Sequence, residues 1–110
     1  MKKTLLGCTC LVLSTLTSTA LAEDMTGHIA RVGTDSARDV AYIWREEGAW
    51  SGFGGCSSNE VVVINTSTEG GKLLHKALMS ALLGGRPAKL YSGRGCAAGY
   101  PVIERVDIYQ

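Results

Sequence analysis

The chain has 110 residues, a formal net charge of +1 and 45% hydrophobic residues, a composition that suits one small globular domain. A charge this close to zero argues against nonspecific binding of nucleic acid, because that affinity comes mainly from lysine and arginine contacts with phosphate. After the N-terminal segment, no apolar run reaches the length needed to span a membrane.

The first 22 residues have the three parts of a bacterial-type secretory signal peptide. Met1-Lys-Lys3 is basic, a stretch that begins at Leu5 is apolar, and Ala20-Leu-Ala22 is a small-x-small cleavage motif. We therefore predict cleavage after Ala22, a single mature domain over residues 23–110, and a periplasmic or secreted location. An uncleaved membrane anchor is the alternative, but the apolar stretch is short for one.

Cleavage would remove two of the four cysteines and leave Cys56 and Cys96. In an oxidising compartment such a pair predicts a disulfide, which would close a loop of about 40 residues and contribute roughly 4 kcal/mol of stability. A metal pair or a catalytic thiol is the alternative. The two cysteines lack zinc-site spacing, however, and His28 and His75 are not placed to complete a ligand set. We expect no metal and no cofactor.

Three strands are predicted before a helix, at residues 26–33, 40–45 and 60–65. The second strand carries Val40, Tyr42 and Trp44 on one face. The third is an uninterrupted apolar run, which predicts burial on both faces. Between these two strands, residues 46–59 form an irregular, glycine-rich segment.

Residues 72–83 have the strongest helical pattern, and we predict that their apolar stripe is buried: Leu73, Leu74, Ala77, Leu78, Ala81 and Leu82. Thr66-Ser-Thr-Glu69 has capping-box spacing, and Gly84-Gly85 followed by Pro87 predicts the end. Met79 and Leu83 lie on the opposite face. They are either incidental surface apolarity or a contact with a neighbouring subunit, and the second interpretation predicts a homo-oligomer.

After the helix, we predict a fourth strand at 88–92, a turn-rich loop at 93–101 and a fifth strand at 102–109. The order is therefore β-β-β-α-β-β, a mainly β chain with one helix (α+β). A helix between the third and fourth of five short strands is the connectivity of an OB-like small barrel.

This layout resembles small secreted bacterial domains related to the B subunits of AB-type toxins, especially the subtilase-cytotoxin B-like group. The features that carry the resemblance are Thr26-Gly-His-Ile29, the strand at 40–45, the cysteine ahead of residues 61–64, the helix at 72–83, and Gly85-Arg-Pro-Ala-Lys-Leu-Tyr91. The resemblance implies a ring-forming, sugar-binding protein without enzymatic activity. It assigns no individual sugar-binding residue.

Signatures of enzymes are missing from the sequence, which contains no Gly-x-Ser-x-Gly elbow, Walker A loop or dinucleotide-binding fingerprint. We therefore predict no catalytic residues and a binding module for a glycan or a protein ligand. The alternatives are a structural or inhibitor-type protein that binds another protein through the same loops, and a small hydrolase without a recognisable motif.

The candidate ligand residues are those that the predicted disulfide would bring together from two glycine-rich segments: Trp50, Phe53, Arg94 and Tyr100. Aromatic faces can cover the apolar faces of a sugar, while a guanidinium fixes its orientation. The alternative is that Trp50 and Phe53 fold under the long loop and bury themselves as a small core.

Overall fold

The computed structural model describes residues 23–110, except for the side chain of Arg94. The predicted signal peptide lies outside the described residues. The elements are five strands and one helix in the predicted order: β1 (Glu23–Asp35), β2 (Val40–Arg45), β3 (Val62–Asn65), α1 (Glu69–Gly84), β4 (Pro87–Ala97) and β5 (Tyr100–Ile108). The predicted fold class, mainly β with one helix, is confirmed.

The strands form a closed barrel in the order β1-β2-β3-β5-β4, with β4 returning to β1. Closure depends on β1, whose first half pairs with β4 and whose second half pairs with β2. The register shifts between Ile29 and Arg31, and an extra residue at such a point bends a strand. β3 and β5 are parallel neighbours, with Val63 opposite Val102. This is the predicted OB-like barrel.

Two different elements cover the ends of the barrel. Near one end of β1, Thr34 lies 3.4 Å from the ring of His75 in α1. Near the other end, the Gly52 N–H in the long loop after β2 lies 3.2 Å from the sulfur of Met25. The buried core lies between them and includes Ile43, Ile64, Leu78 and Leu90. All four residues from Val61 to Ile64 are buried, as the apolar run predicts.

The helix begins at Glu69, three residues earlier than predicted, and its N-cap is Thr68 rather than Thr66. The Thr68 hydroxyl accepts a hydrogen bond from the Gly71 N–H at 2.9 Å. Thr66 lies two residues before the N-cap, and its N–H donates to the Asp39 carbonyl, which extends the pairing of β3 with β2. At the other end, Gly85 is left-handed (φ 63°), the C-cap that the glycine pair predicts.

The predicted apolar stripe of the helix is wrong at Leu73, whose side chain is 64% exposed. The buried side of α1 is centred on Leu78 and also includes Gly71 and Ala81. At about 100° per residue, Leu73 is roughly 140° around the helix from Leu78, so it points away from the barrel. Gly71 permits this orientation, because it brings the helix backbone against the Asn65 carbonyl.

The predicted loop at 93–101 is instead a long hairpin. β4 continues to Ala97 and β5 begins at Tyr100, with Cys96 opposite Pro101. Ala98 and Gly99 form the two-residue turn, and both have positive φ values (54° and 86°), as tight hairpin turns require. The three glycines of this segment suggested a loop, but β4 runs through two of them and pairs with β5 again at Cys96 and Ala97. In residues 23–110, no helix has the length and apolarity that a membrane crossing needs.

Candidate functional site

The predicted disulfide between Cys56 and Cys96 is present, with the two Cα atoms 5.8 Å apart. It ties the long loop between β2 and β3 to the β4–β5 hairpin. The Ser58 N–H also donates to the Gly99 carbonyl at 3.0 Å, so the loop contacts the hairpin turn as well. In the usual OB-fold topology, the loop after β2 and the loop after β4 lie at opposite ends of the barrel. They meet here because the hairpin continues past Ser92, the last β4 residue that pairs with β1.

Two of the four predicted ligand residues, Trp50 and Phe53, lie in the hydrophobic core. Their exposed fractions are 0% and 1%, and their rings stack with centroids 6.1 Å apart. The indole N–H of Trp50 donates to the Ile43 carbonyl at 3.0 Å. Side chains without exposed surface offer no face to a ligand, so this placement corresponds to the alternative of a small core under the loop. It does not support a binding role for either residue.

A cavity of about 370 Å³ does lie beside the bridge, where the predicted site was expected. Its walls are Cys56, Glu23, the buried Ser92 and the backbone of four glycines at 54, 55, 93 and 95. The Glu23 carboxylate accepts a hydrogen bond from the Gly54 N–H at 3.1 Å. The predicted ligand residue Arg94 belongs to β4, but its side chain lies outside the described part of the chain. Among the side chains that the structure describes, no aromatic lines this cavity.

Tyr100, the fourth predicted residue, joins a different group of aromatic side chains on the outer face of β2. Its ring packs edge-on against Tyr42 with centroids 6.1 Å apart, and Tyr42 lies 6.3 Å from Trp44. All three rings are half-buried. With Glu60 and Val61 they line a cavity of about 290 Å³, which we call the aromatic cavity.

Trp44 contacts two residues of β1, Gly33 and Arg31. A Cβ at Gly33 would come within 3.2 Å of the Trp44 ring, so glycine lets the indole approach the strand closely. On Trp44, the Arg31 guanidinium lies 3.9 Å from the ring centroid, a cation–π arrangement. In the described residues, ion pairs with acidic side chains are formed by Arg38, Arg45 and Arg105. Arg31 takes part in none of them. Its N–H groups therefore remain available as hydrogen-bond donors.

Tyr42 and Trp44 were not among the predicted ligand residues, although the sequence contains a signal for them. Both occupy the same face of β2, while the alternate residues Ala41 and Ile43 are fully buried in the core. The alternation of β2 places two aromatics outside the barrel. The predicted aromatic ligand residues came instead from the glycine-rich loop and its partner segment, because large aromatics are unusual in such segments.

A separate cluster of charges fixes the start of the long loop. The Glu47 carboxylate lies 2.7 Å from the Nδ1 of His28 and accepts a hydrogen bond from the His28 N–H at 3.0 Å. These bonds lower the pKa of Glu47 to about 2, with the His28 ring as the main cause. Arg45 lies 3.5 Å from the same carboxylate. The cluster joins the loop to β1 and does not line the aromatic cavity.

The predicted interface residues Met79 and Leu83 are exposed on α1, by 37% and 82%. Leu73 lies on the same outward side, so three large apolar side chains face solvent beside Lys76. We call this surface the outer helix face.

No group of three or more histidine, cysteine or acidic side chains within residues 23–110 is arranged to hold a metal ion. Comparison of the chain with protein-family models, with curated proteins and with solved structures gives no match in any of the three.

Proposed function

We propose that this protein is a periplasmic or secreted binding module that holds a glycan in the aromatic cavity and catalyses no reaction. The observation that carries the proposal is the cluster of Tyr42, Trp44 and Tyr100, three half-buried rings around one cavity on the outer face of a closed barrel. Aromatic rings of this kind supply large amphipathic surfaces, on which the apolar faces of sugar rings can pack.

Polar groups beside the rings supply the orientation that stacking alone does not give. Arg31 lies over Trp44 at 3.9 Å, and Glu60 lines the cavity. One donor and one acceptor at the rim of an apolar surface suit a ligand that carries many hydroxyl groups. The resemblance to toxin B subunits favours the same class of ligand.

The location is part of the proposal. A signal peptide at residues 1–22 would direct the chain out of the cytoplasm and into an oxidising compartment. A disulfide such as Cys56–Cys96 forms and persists in such a compartment. The bridge supports ligand binding only indirectly. It fixes the loop that carries Trp50 and Phe53 into the core behind β2.

A glycan array probed with the mature protein tests the proposal. We expect defined glycans to bind, and Tyr100→Ala to weaken the strongest binder at least about tenfold, as truncation of an aromatic at the centre of a site does. Tyr109→Ala is the matched control, because Tyr109 is 44% exposed and lies outside the aromatic cavity. An array that stays blank with wild-type protein would overturn the proposal, and so would equal losses in the two variants.

The outer helix face favours self-association as an additional property. Leu73 and Leu83 are 64% and 82% exposed, and a small domain gains relatively more from burying such side chains in a neighbour. We expect sedimentation equilibrium to give a mass above that of the monomer and Leu83→Lys to lower it. Tyr109→Lys, a change at an exposed position outside the helix, should have no effect. A monomer mass for wild-type protein at high concentration would remove this proposal.

A further inference from the structure

A third cavity, of about 340 Å³, lies on the same outer surface of the barrel as the aromatic cavity. Its rim is polar and includes Arg38, Asp39, Asn65 and Ser67. Its floor includes Val40 and Val63, which are 8% and 0% exposed. We call it the polar cavity. It combines an apolar floor with several hydrogen-bonding groups, as the aromatic cavity does.

The two cavities are built from successive outward positions of the same strands. On β2, Val40 lines the polar cavity, whereas Tyr42 and Trp44 line the aromatic one. Val63 of β3 is opposite Tyr42 on one side and Val102 of β5 on the other, so the three strands continue from one cavity into the next. Two residues along a strand span roughly 7 Å. This distance is comparable to the length of one sugar unit in an oligosaccharide.

Tyr42 is adjacent to residues of both cavities. Its ring packs against Tyr100 in the aromatic cavity. On the neighbouring strand it is opposite Val63, which lines the polar cavity. At the rim of that cavity, the Arg38 Nη1 donates to the Asp35 carboxylate at 2.9 Å. The Ala37 N–H donates to that carboxylate as well, at 3.0 Å, which orders the β1–β2 turn.

On this basis, and resting on the proposed glycan function, we propose that the two cavities are adjacent subsites of one groove, and that the ligand is an oligosaccharide of at least two units lying along β2. One unit packs on the aromatic cavity, and the next places its hydroxyl groups against Arg38 and Ser67. Each cavity alone is near the lower limit of about 300 Å³ for small-molecule sites, whereas the two together lie well inside the usual range.

An extended peptide fits this groove less well. Peptides that bind along strands usually gain affinity by adding to a free sheet edge. Each of the five described strands already has two neighbours in the closed barrel, so the groove floor is the face of a sheet. The backbone amides of a peptide lying across a sheet face find no ladder to pair with, whereas sugar hydroxyls can stay solvated or bond to the polar rim.

The test uses a printed array that carries each monosaccharide alone and as the terminal unit of di- to tetrasaccharides, together with an array of extended peptides. With wild-type mature protein, we expect a disaccharide to bind about tenfold or more tightly than its terminal monosaccharide, a gain that one added set of contacts can supply. In Arg38→Ala and Arg38→Gln, that ratio should fall to about threefold or less. Two different substitutions are made at Arg38, so that a folding defect in one variant cannot by itself explain the lower ratio. Arg86→Ala, an exposed arginine outside both cavities, should keep the wild-type ratio.

The outcomes separate this inference from the proposed function. If monosaccharides bind as tightly as their extended forms, or if both Arg38 variants keep the gain, the second subsite is refuted while glycan binding stands. A blank glycan array overturns both. Peptide binding that depends on Arg38 and Tyr100, with no glycan signal, would instead assign the groove to a protein ligand and refute the oligosaccharide.

Discussion

Trp50→Ala should separate a core role of this side chain from a ligand-binding role. The indole is completely buried, stacks on Phe53 and donates a hydrogen bond to the Ile43 carbonyl at 3.0 Å. Removing a buried tryptophan side chain costs about 3–5 kcal/mol, of which the hydrogen bond accounts for roughly 1 kcal/mol. Since a domain of this size has only about 5–15 kcal/mol of stability, the variant should be close to unfolding at high temperature.

The assay is urea unfolding followed by far-UV circular dichroism, because fluorescence would change with the loss of a tryptophan. Trp44→Ala is the matched control. Trp44 is half-buried on the outer face of β2, so its loss should cost about 1 kcal/mol or less, including the cation–π contact with Arg31. Trp44→Ala should weaken glycan binding, whereas the folded fraction of Trp50→Ala should still bind. A stability loss for Trp50→Ala no larger than that for Trp44→Ala would refute the assignment of Trp50 to the core.

Three further changes test other parts of the fold. Cys56→Ala should lower the free energy of unfolding by about 2–5 kcal/mol. Thiol titration of exported wild-type protein should find no free cysteine, and two titratable thiols would contradict the bridge. Gly71→Ala should destabilise the protein by about 2 kcal/mol or more in thermal melts, because a Cβ there would collide with a strand carbonyl. Gly70→Ala is the control and should be neutral or slightly stabilising, since a Cβ at Gly70 would face open space. Glu47 has its pKa lowered from 4.5 to about 2 by His28, so its contribution is present above pH 4.5 and is lost as the pH falls towards 2. Because the pair is partly exposed, wild-type protein should lose only about 1 kcal/mol more than Glu47→Gln over that range in urea melts, and identical pH profiles would exclude this role.

The local pattern of the sequence was enough to predict the elements and their order. The second strand matches Val40–Arg45 at both ends, and Gly85 ends the helix as predicted. These features depend on side-chain periodicity and on backbone preferences within a few residues. The pairing of Cys56 with Cys96 was equally accessible, because the predicted cleavage leaves only two cysteines.

The positions of the helix boundary and of the hairpin needed the tertiary structure. Thr66 has the residue type of an N-cap, yet it pairs with Asp39 across the sheet, and that contact is distant in sequence. Likewise, the glycines before Cys96 have low strand propensity, but β4 continues through them because it pairs with β5 on both sides, at Ser92 and at Cys96. In both cases pairing with a neighbouring strand decided between two local structures that the sequence permits.

The candidate site was decided by tertiary structure most of all. Trp50, Phe53 and Tyr100 are all aromatics in or beside glycine-rich segments, and their residue types do not distinguish core from surface. The long loop folds back over one end of the barrel, buries Trp50 and Phe53, and leaves Tyr100 beside Tyr42. Which side of a loop is buried depends on contacts between segments far apart in the chain. Composition and spacing therefore predicted exposed aromatics, and only the packing of the barrel determined which aromatics line a surface cavity.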